Sequence, residues 1–169
     1  MQNQTEVFSL ENHYKIECFG KDGALKWEDE IYNLITNVGL NDVLDKYLKG
    51  SSYTAGFFVG LTDDAPTVAA GDTMASHSGW VEAQGYDEAT REALTLGTVA
   101  SQSVDNSASK ASFAMNATDT IGGAFINTIG TKGGTTGILY GVGAFTGGDK
   151  AVADGDTLNV TVTATAASA

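Results

Sequence analysis

Ala111-Ser112-Phe113-Ala114-Met115, Ile121-Gly122-Gly123-Ala124-Phe125-Ile126, Ile138-Leu139-Tyr140-Gly141-Val142 and Leu158-Asn159-Val160-Thr161-Val162-Thr163 belong to one stretch, Ala111 to Thr163, whose reading decides the fold. Short apolar runs alternate here with Gly, Thr and Asn, and charge is sparse. Successive side chains on a strand face opposite ways, so Val and Thr in alternation bury one face and leave hydroxyls on the other. Gly133-Gly134, Gly147-Gly148-Asp149 and Asp154-Gly155-Asp156 separate the runs and supply the turn conformations that tight connections need. The half is predicted to be an antiparallel β-sandwich of jelly-roll type.

Outward from this stretch, the N-terminal segment also alternates. Tyr14-Lys15-Ile16-Glu17-Cys18-Phe19 and Ala24-Leu25-Lys26-Trp27 flank Lys21-Asp22-Gly23, and Asp-Gly between alternating runs predicts a hairpin. Residues 1–30 are read as a charged N-terminal arm and 31–169 as one sandwich domain. Near Asn37 the period changes. Leu40, Val43, Leu44, Tyr47 and Leu48 fall on one helical stripe, predicting an amphipathic helix over about 38–49, started by Asn37 or Asn41 and ended by Gly50. That stripe is expected to close one open side of the sandwich, the alternative being to dock onto another subunit. Gly56-Phe57-Phe58-Val59-Gly60-Leu61 reads as a buried strand. The stretch from Thr62 to Gly79, with the only proline, Pro66, is long for a loop.

The chain has 169 residues, enough for one domain with a true core. Its formal charge of −12 argues against nucleic acid as a partner, because phosphate binding needs clustered Lys and Arg. No apolar run is long enough to cross a bilayer as a helix, so no membrane partner is expected. Cys18 is the only cysteine, which rules out an internal disulfide and makes a core position the expectation. Met1-Gln2-Asn3-Gln4-Thr5 lacks the pattern of a secretion signal, so folding in a cytoplasm is expected.

Candidate chemistry is thin. Ser76-His77-Ser78 with Asp72 nearby could be drawn as a triad, but sequence neighbours rarely meet side chain to side chain, and no Gly-x-Ser-x-Gly elbow is present. His77 and His13 are too few for a zinc site. Asp149, Asp154 and Asp156 are weak calcium candidates, the alternative being Asx turns. Gly130-Thr131-Lys132-Gly133-Gly134-Thr135-Thr136-Gly137 has the wrong spacing for a phosphate loop and reads as a hairpin tip. No cofactor and no catalytic residues are assigned. Trp27, Met74, His77, Trp80, Tyr86 and Arg91, of residue types that suit a contact core, are the candidate partner contacts.

Asp22-Gly23 with Trp27, then Asn37-x-Gly39-Leu40-Asn41-x-x-Leu44, then Phe57-Phe58-Val59-Gly60-Leu61 and Thr73-Met74-Ala75-Ser76-His77-x-Gly79-Trp80-x-Glu82, give an order of motifs that resembles small virion proteins of tailed bacteriophages, above all capsid decoration or cement proteins. The similarity spans roughly Lys15 to Thr163, with Ser76 to Trp80 its most specific part. The resemblance implies a place on the capsid surface with no enzymatic activity, the major capsid protein as partner, and assembly as a homodimer or homotrimer. A tail or baseplate module presenting Trp27, Trp80 and Tyr86 to a host glycan is the alternative.

Overall fold

The computed structural model describes residues 8–53 and 56–168. Strands β1 (Phe8–Phe19) and β2 (Leu25–Tyr32) form the expected hairpin. Gly23 takes φ 75° in its turn, and Asp22 Oδ1 accepts from the Ala24 N–H at 3.0 Å. Strand β3 (Leu34–Ile35) leads into helix α1 (Asn37–Val43), which widens into a π-helical turn over Leu44–Leu48. Gly50, at φ 79°, ends the helical segment. There follow β4 (Phe58–Thr62), β5 (Glu82–Ala83), β6 (Glu92–Ala93), β7 (Ser103–Asp105), β8 (Ala111–Ala114), β9 (Asp119–Ile121), β10 (Gly123–Asn127), β11 (Leu139–Ala144), β12 (Lys150–Val152) and β13 (Thr157–Ser168).

Two antiparallel sheets form the sandwich. The first runs β2-β1-β13, with β8 and β7 one after the other along the far edge of β13; the second runs β3-β11-β10-β4, with β5 and β6 both pairing β4. A two-stranded ribbon, β9 with β12, stands apart. The inward faces carry the alternation read from the sequence. Tyr14, Ile16 and Cys18 of β1 and Leu158, Val160 and Val162 of β13 meet Val59, Leu61, Ala124 and Ile126 of the second sheet in one buried core.

Residues 8–30 are not an arm. β1 pairs with β13 from Phe8 opposite Ser168 to Phe19 opposite Thr157, which makes it an interior strand of the first sheet. The physical reason lies in the alternation itself: Tyr14, Ile16 and Cys18 make an apolar face that would stand in water if the hairpin projected from the domain. The part of the arm at residues 1–7 lies outside the described residues.

The stretch after β4 folds back over the outer face of the second sheet. Met74, Trp80 and Val68 pack there on Phe125, Leu139 and Val142, forming a second, smaller core. β10 is therefore covered on both faces, and all five of its residues are buried.

Candidate functional site

Of the candidate partner contacts, Met74, His77, Trp80 and Arg91 come together around Phe125, while Trp27 and Tyr86 pack elsewhere. His77 stacks on Trp80 with ring centroids 3.7 Å apart and planes 18° apart; the Trp80 and Phe125 ring centroids lie 5.1 Å apart; the Arg91 guanidinium carbon lies 5.1 Å from the centroid of the same Phe125 ring. Trp80 donates its indole N–H to Asp72 at 3.3 Å, and His77 Nδ1 is 3.1 Å from the Trp80 carbonyl. Met74, Trp80 and Arg91 are buried, so this column joins the second core to the sheet beneath it and offers no partner contact. Arg91, a candidate partner contact, is instead met inside the fold by the carboxylate of Glu82, which stands opposite Thr62 of β4. His77 and Asp72 keep part of their surface in water.

Tyr86 is buried as well, edge-on to Phe113 at 4.9 Å, with Lys132 Nζ 4.0 Å from its ring centroid. Burial, with Glu82 next in effect, holds its phenol well above the ordinary range. Lys132 also donates to the Tyr86 carbonyl at 2.8 Å, and Gly133 N–H donates to Glu82 at 3.0 Å, which pins the expected hairpin tip onto β5. Trp27 is half-buried, donates to the Ala151 carbonyl at 3.0 Å and stands edge-on to Phe145.

The three calcium candidates do not converge either. Asp156 is buried and takes Lys26, the Ala153 N–H at 2.8 Å and the Cys18 thiol at 3.8 Å. Asp154 pairs with Lys21 at 3.0 Å, and Asp149 accepts from the Ala65 N–H at 3.0 Å. Among the described residues, no group of three or more His, Cys, Asp or Glu side chains is placed to hold a metal ion. Cys18 is a core residue, its thiol pushed up to about 11 by burial and then by Asp156.

The feature that does face outward is the helix. Its apolar stripe was expected against the sandwich; instead Leu40 and Leu44 are exposed, and Tyr47 and Leu48 are 84% and 72% exposed. Backbone contacts set this orientation. Thr36, not Asn37 or Asn41, caps α1 by accepting from Gly39 N–H at 3.1 Å; its hydroxyl donates to the Leu139 carbonyl, its own N–H donates to Tyr140 O at 3.1 Å, and Asn37 N–H donates to Ala70 O at 2.9 Å. Gly39 lies flat against the Tyr140 backbone, where a Cβ would collide with the carbonyl. With Gly39 and Asp42 turned inward, the stripe must point out. Lys46 and Lys49 both pair with Asp45, at 3.3 and 3.0 Å, and make a charged border to the apolar face. The sequence pattern named this stripe correctly and its direction wrongly.

No family model matches the chain, and no curated protein is significantly similar to it. No helix among the described residues is long and apolar enough to cross a membrane.

Proposed function

We propose that this protein is a structural component of a phage virion that binds the outer surface of the capsid and stabilises contacts between major capsid protein subunits. It would be made in the bacterial cytoplasm, act as a homodimer or homotrimer, and carry out no reaction. The motif order from Asp22 to Glu82, with its likeness to decoration proteins, motivates the reading. The observation that carries it is the outward apolar face of Leu40, Leu44, Tyr47 and Leu48. Fixed to the sandwich by backbone contacts and bordered by charge, this face has the make-up of a contact core, and its π-helical turn is of a kind frequent at functional sites. Many copies, each contributing a modest contact, would sum to a large stabilisation of a shell.

The tail or baseplate reading drew on Trp27, Trp80 and Tyr86 as exposed loop tips. Trp80 and Tyr86 are buried and Trp27 is hydrogen-bonded into the fold, so those three give it no support.

Cosedimentation of the purified protein with heads that lack it is the test. Saturable binding is expected, with weakening of roughly tenfold or more in a Leu44→Glu/Leu48→Glu double variant, the order of effect of losing a contact-core residue. Wild-type protein that stays in the supernatant overturns the capsid assignment. A double variant that binds as the wild type overturns the helix as the contact.

A further inference from the structure

Beyond β2, the first sheet keeps an edge without a neighbour among the described residues. β2 leaves β1 after Tyr32, opposite His13, and the Asn33 N–H then bonds the Asn12 carbonyl at 3.2 Å. β1 runs on to Phe8, paired along its other side with β13 as far as Ser168. Backbone groups of an antiparallel strand point in turn to one neighbour and to the other. Asn12 turns toward the β2 side, so Leu10 and Phe8 turn their N–H and C=O groups that way too, past the end of β2. β13 shows the same parity: Ala166, opposite Leu10, sends its N–H away from β1 to the Gln102 carbonyl at 2.9 Å. Among the described residues, nothing bonds the four outward backbone groups of Phe8 and Leu10.

The rest of this side of the sheet is guarded. The Thr146 N–H bonds the Glu30 carbonyl at 3.0 Å, which puts Lys26, Glu28 and Glu30 on the outward backbone positions of β2, and charged edges resist added strands. Phe8-Ser9-Leu10 carries no charge, Phe8 is 66% exposed and Leu10 is half-buried. A second copy fits this edge by its own pattern. Antiparallel pairing centred on Ser9 sets Phe8 of each copy opposite Leu10 of the other, satisfies all four groups on both sides and leaves the Asn12–Asn33 bond in place. A shift that sets Leu10 opposite Leu10 would bring Phe8 against Asn12, whose carbonyl is already taken. The Ser9 register gathers two Phe8 and two Leu10 side chains on one face. It also suits a chain of net charge −12, because Glu11 and its copy stand four positions apart along the ladder, about 14 Å, beyond the screening length at physiological salt.

We propose that two copies of this chain pair edge to edge through Phe8–Leu10 of β1, joining their first sheets across a two-fold axis at Ser9. Each copy has one such edge, so the pairing closes at two and selects the dimer over the trimer. The proposal rests on the reading above that the chain assembles with itself; it needs neither the capsid nor the helix face.

Sedimentation velocity on the full chain over roughly 1–100 μM, with no capsid present, is the test. A monomer–dimer equilibrium is expected, with the Phe8 and Leu10 amides gaining hydrogen-exchange protection as the dimer fills. Leu10→Pro deletes one outward donor and leaves the β13 ladder whole, since the Leu10 N–H points away from it; Phe8→Lys puts a charge on an exposed position of the edge. Each is expected to raise the dissociation constant roughly tenfold or more while the Tm of dilute protein holds. A wild type that stays monomeric throughout overturns the proposal, and so does a trimer. A dimer that both variants leave within about twofold of wild type overturns it as well. Wild-type protein that dimerises through this edge yet stays off heads fails the capsid assignment alone.

Discussion

Nε and Nη2 of Arg91 donate to the two carboxylate oxygens of Glu82 at 2.9 and 2.7 Å, with the arginine side chain fully out of water and the glutamate nearly so. The same guanidinium donates to the carbonyls of Ile129 and Gly134, each at 2.8 Å. One buried pair thus staples the segment between β10 and β11 to the short strands at the edge of β4. Removing one partner leaves the other charge buried and alone, so Arg91→Met or Glu82→Gln is expected to cost about 3–5 kcal/mol in urea denaturation. The double variant Arg91→Met/Glu82→Leu is expected to recover part of that loss. Single variants within about 0.5 kcal/mol of wild type, the range of surface substitutions, would show that the pair is not structural.

Gly60 and Phe125 stand opposite each other in the β4–β10 register, and a Cβ on Gly60 would run into the Phe125 ring. The ring cannot move aside cheaply, because Trp80 and Arg91 both lie against it. Gly60→Ala is therefore expected to destabilise by about 1–3 kcal/mol through overpacking and to shift Trp80 fluorescence. Adding Phe125→Leu should return part of the stability. A Gly60→Ala variant as stable as wild type, with unaltered emission, would contradict the packing described.

The strand pattern was legible because period-two alternation is a local signal: Tyr14-Ile16-Cys18 and Leu158-Val160-Val162 point inward as their spacing requires. The Asp22-Gly23 turn and the Gly50 stop were legible for the same reason, since each is fixed by its own backbone angle. What could not be read was which residues meet across the chain. Arg91 looked like a surface cation until Glu82 and the Ile129 and Gly134 carbonyls enclosed it. The direction of the helical stripe depended on Gly39 lying flat on Tyr140, a contact that leaves no trace in helical periodicity. The Asn33 amide gave no signal either, because its bond to the buried Tyr14 hydroxyl joins residues far apart in sequence.

Acid should expose two buried carboxylates. Burial tends to raise the pKa of Asp156, but Lys26, the Ala153 N–H and the Cys18 thiol outweigh it and hold it below the usual range. Asp29 is likewise lowered: burial is outweighed by the Glu30 and Gly147 N–H groups, Lys150 and the Thr146 hydroxyl. A depressed folded-state pKa contributes stability that is complete above the unfolded value of about 3.9 and disappears as pH falls through the folded value. Tm is expected to hold from neutral pH to about 4.5 and then fall. Asp156→Asn should lower Tm at neutral pH and flatten the acid limb. An acid limb as steep as wild type would remove Asp156 from this role.

Thr36 serves two elements with one hydroxyl. Its oxygen accepts from Gly39 N–H at 3.1 Å to cap α1, and its proton goes to the Leu139 carbonyl of β11. Valine keeps the shape and loses both bonds, leaving a buried carbonyl and the first helical amides without partners. Thr36→Val is expected to cost about 1–2 kcal/mol, the usual loss for a helix cap. The more informative readout is hydrogen exchange: the amides of Gly39 and Leu40 should lose protection well before those of β10, because the helix is held to the sheet here and nowhere near its apolar face. Thr36→Ser, which keeps the hydroxyl, should restore both stability and protection. If Thr36→Val exchanges like wild type at Gly39 and Leu40, the outward aim of Leu44 and Leu48 needs another cause.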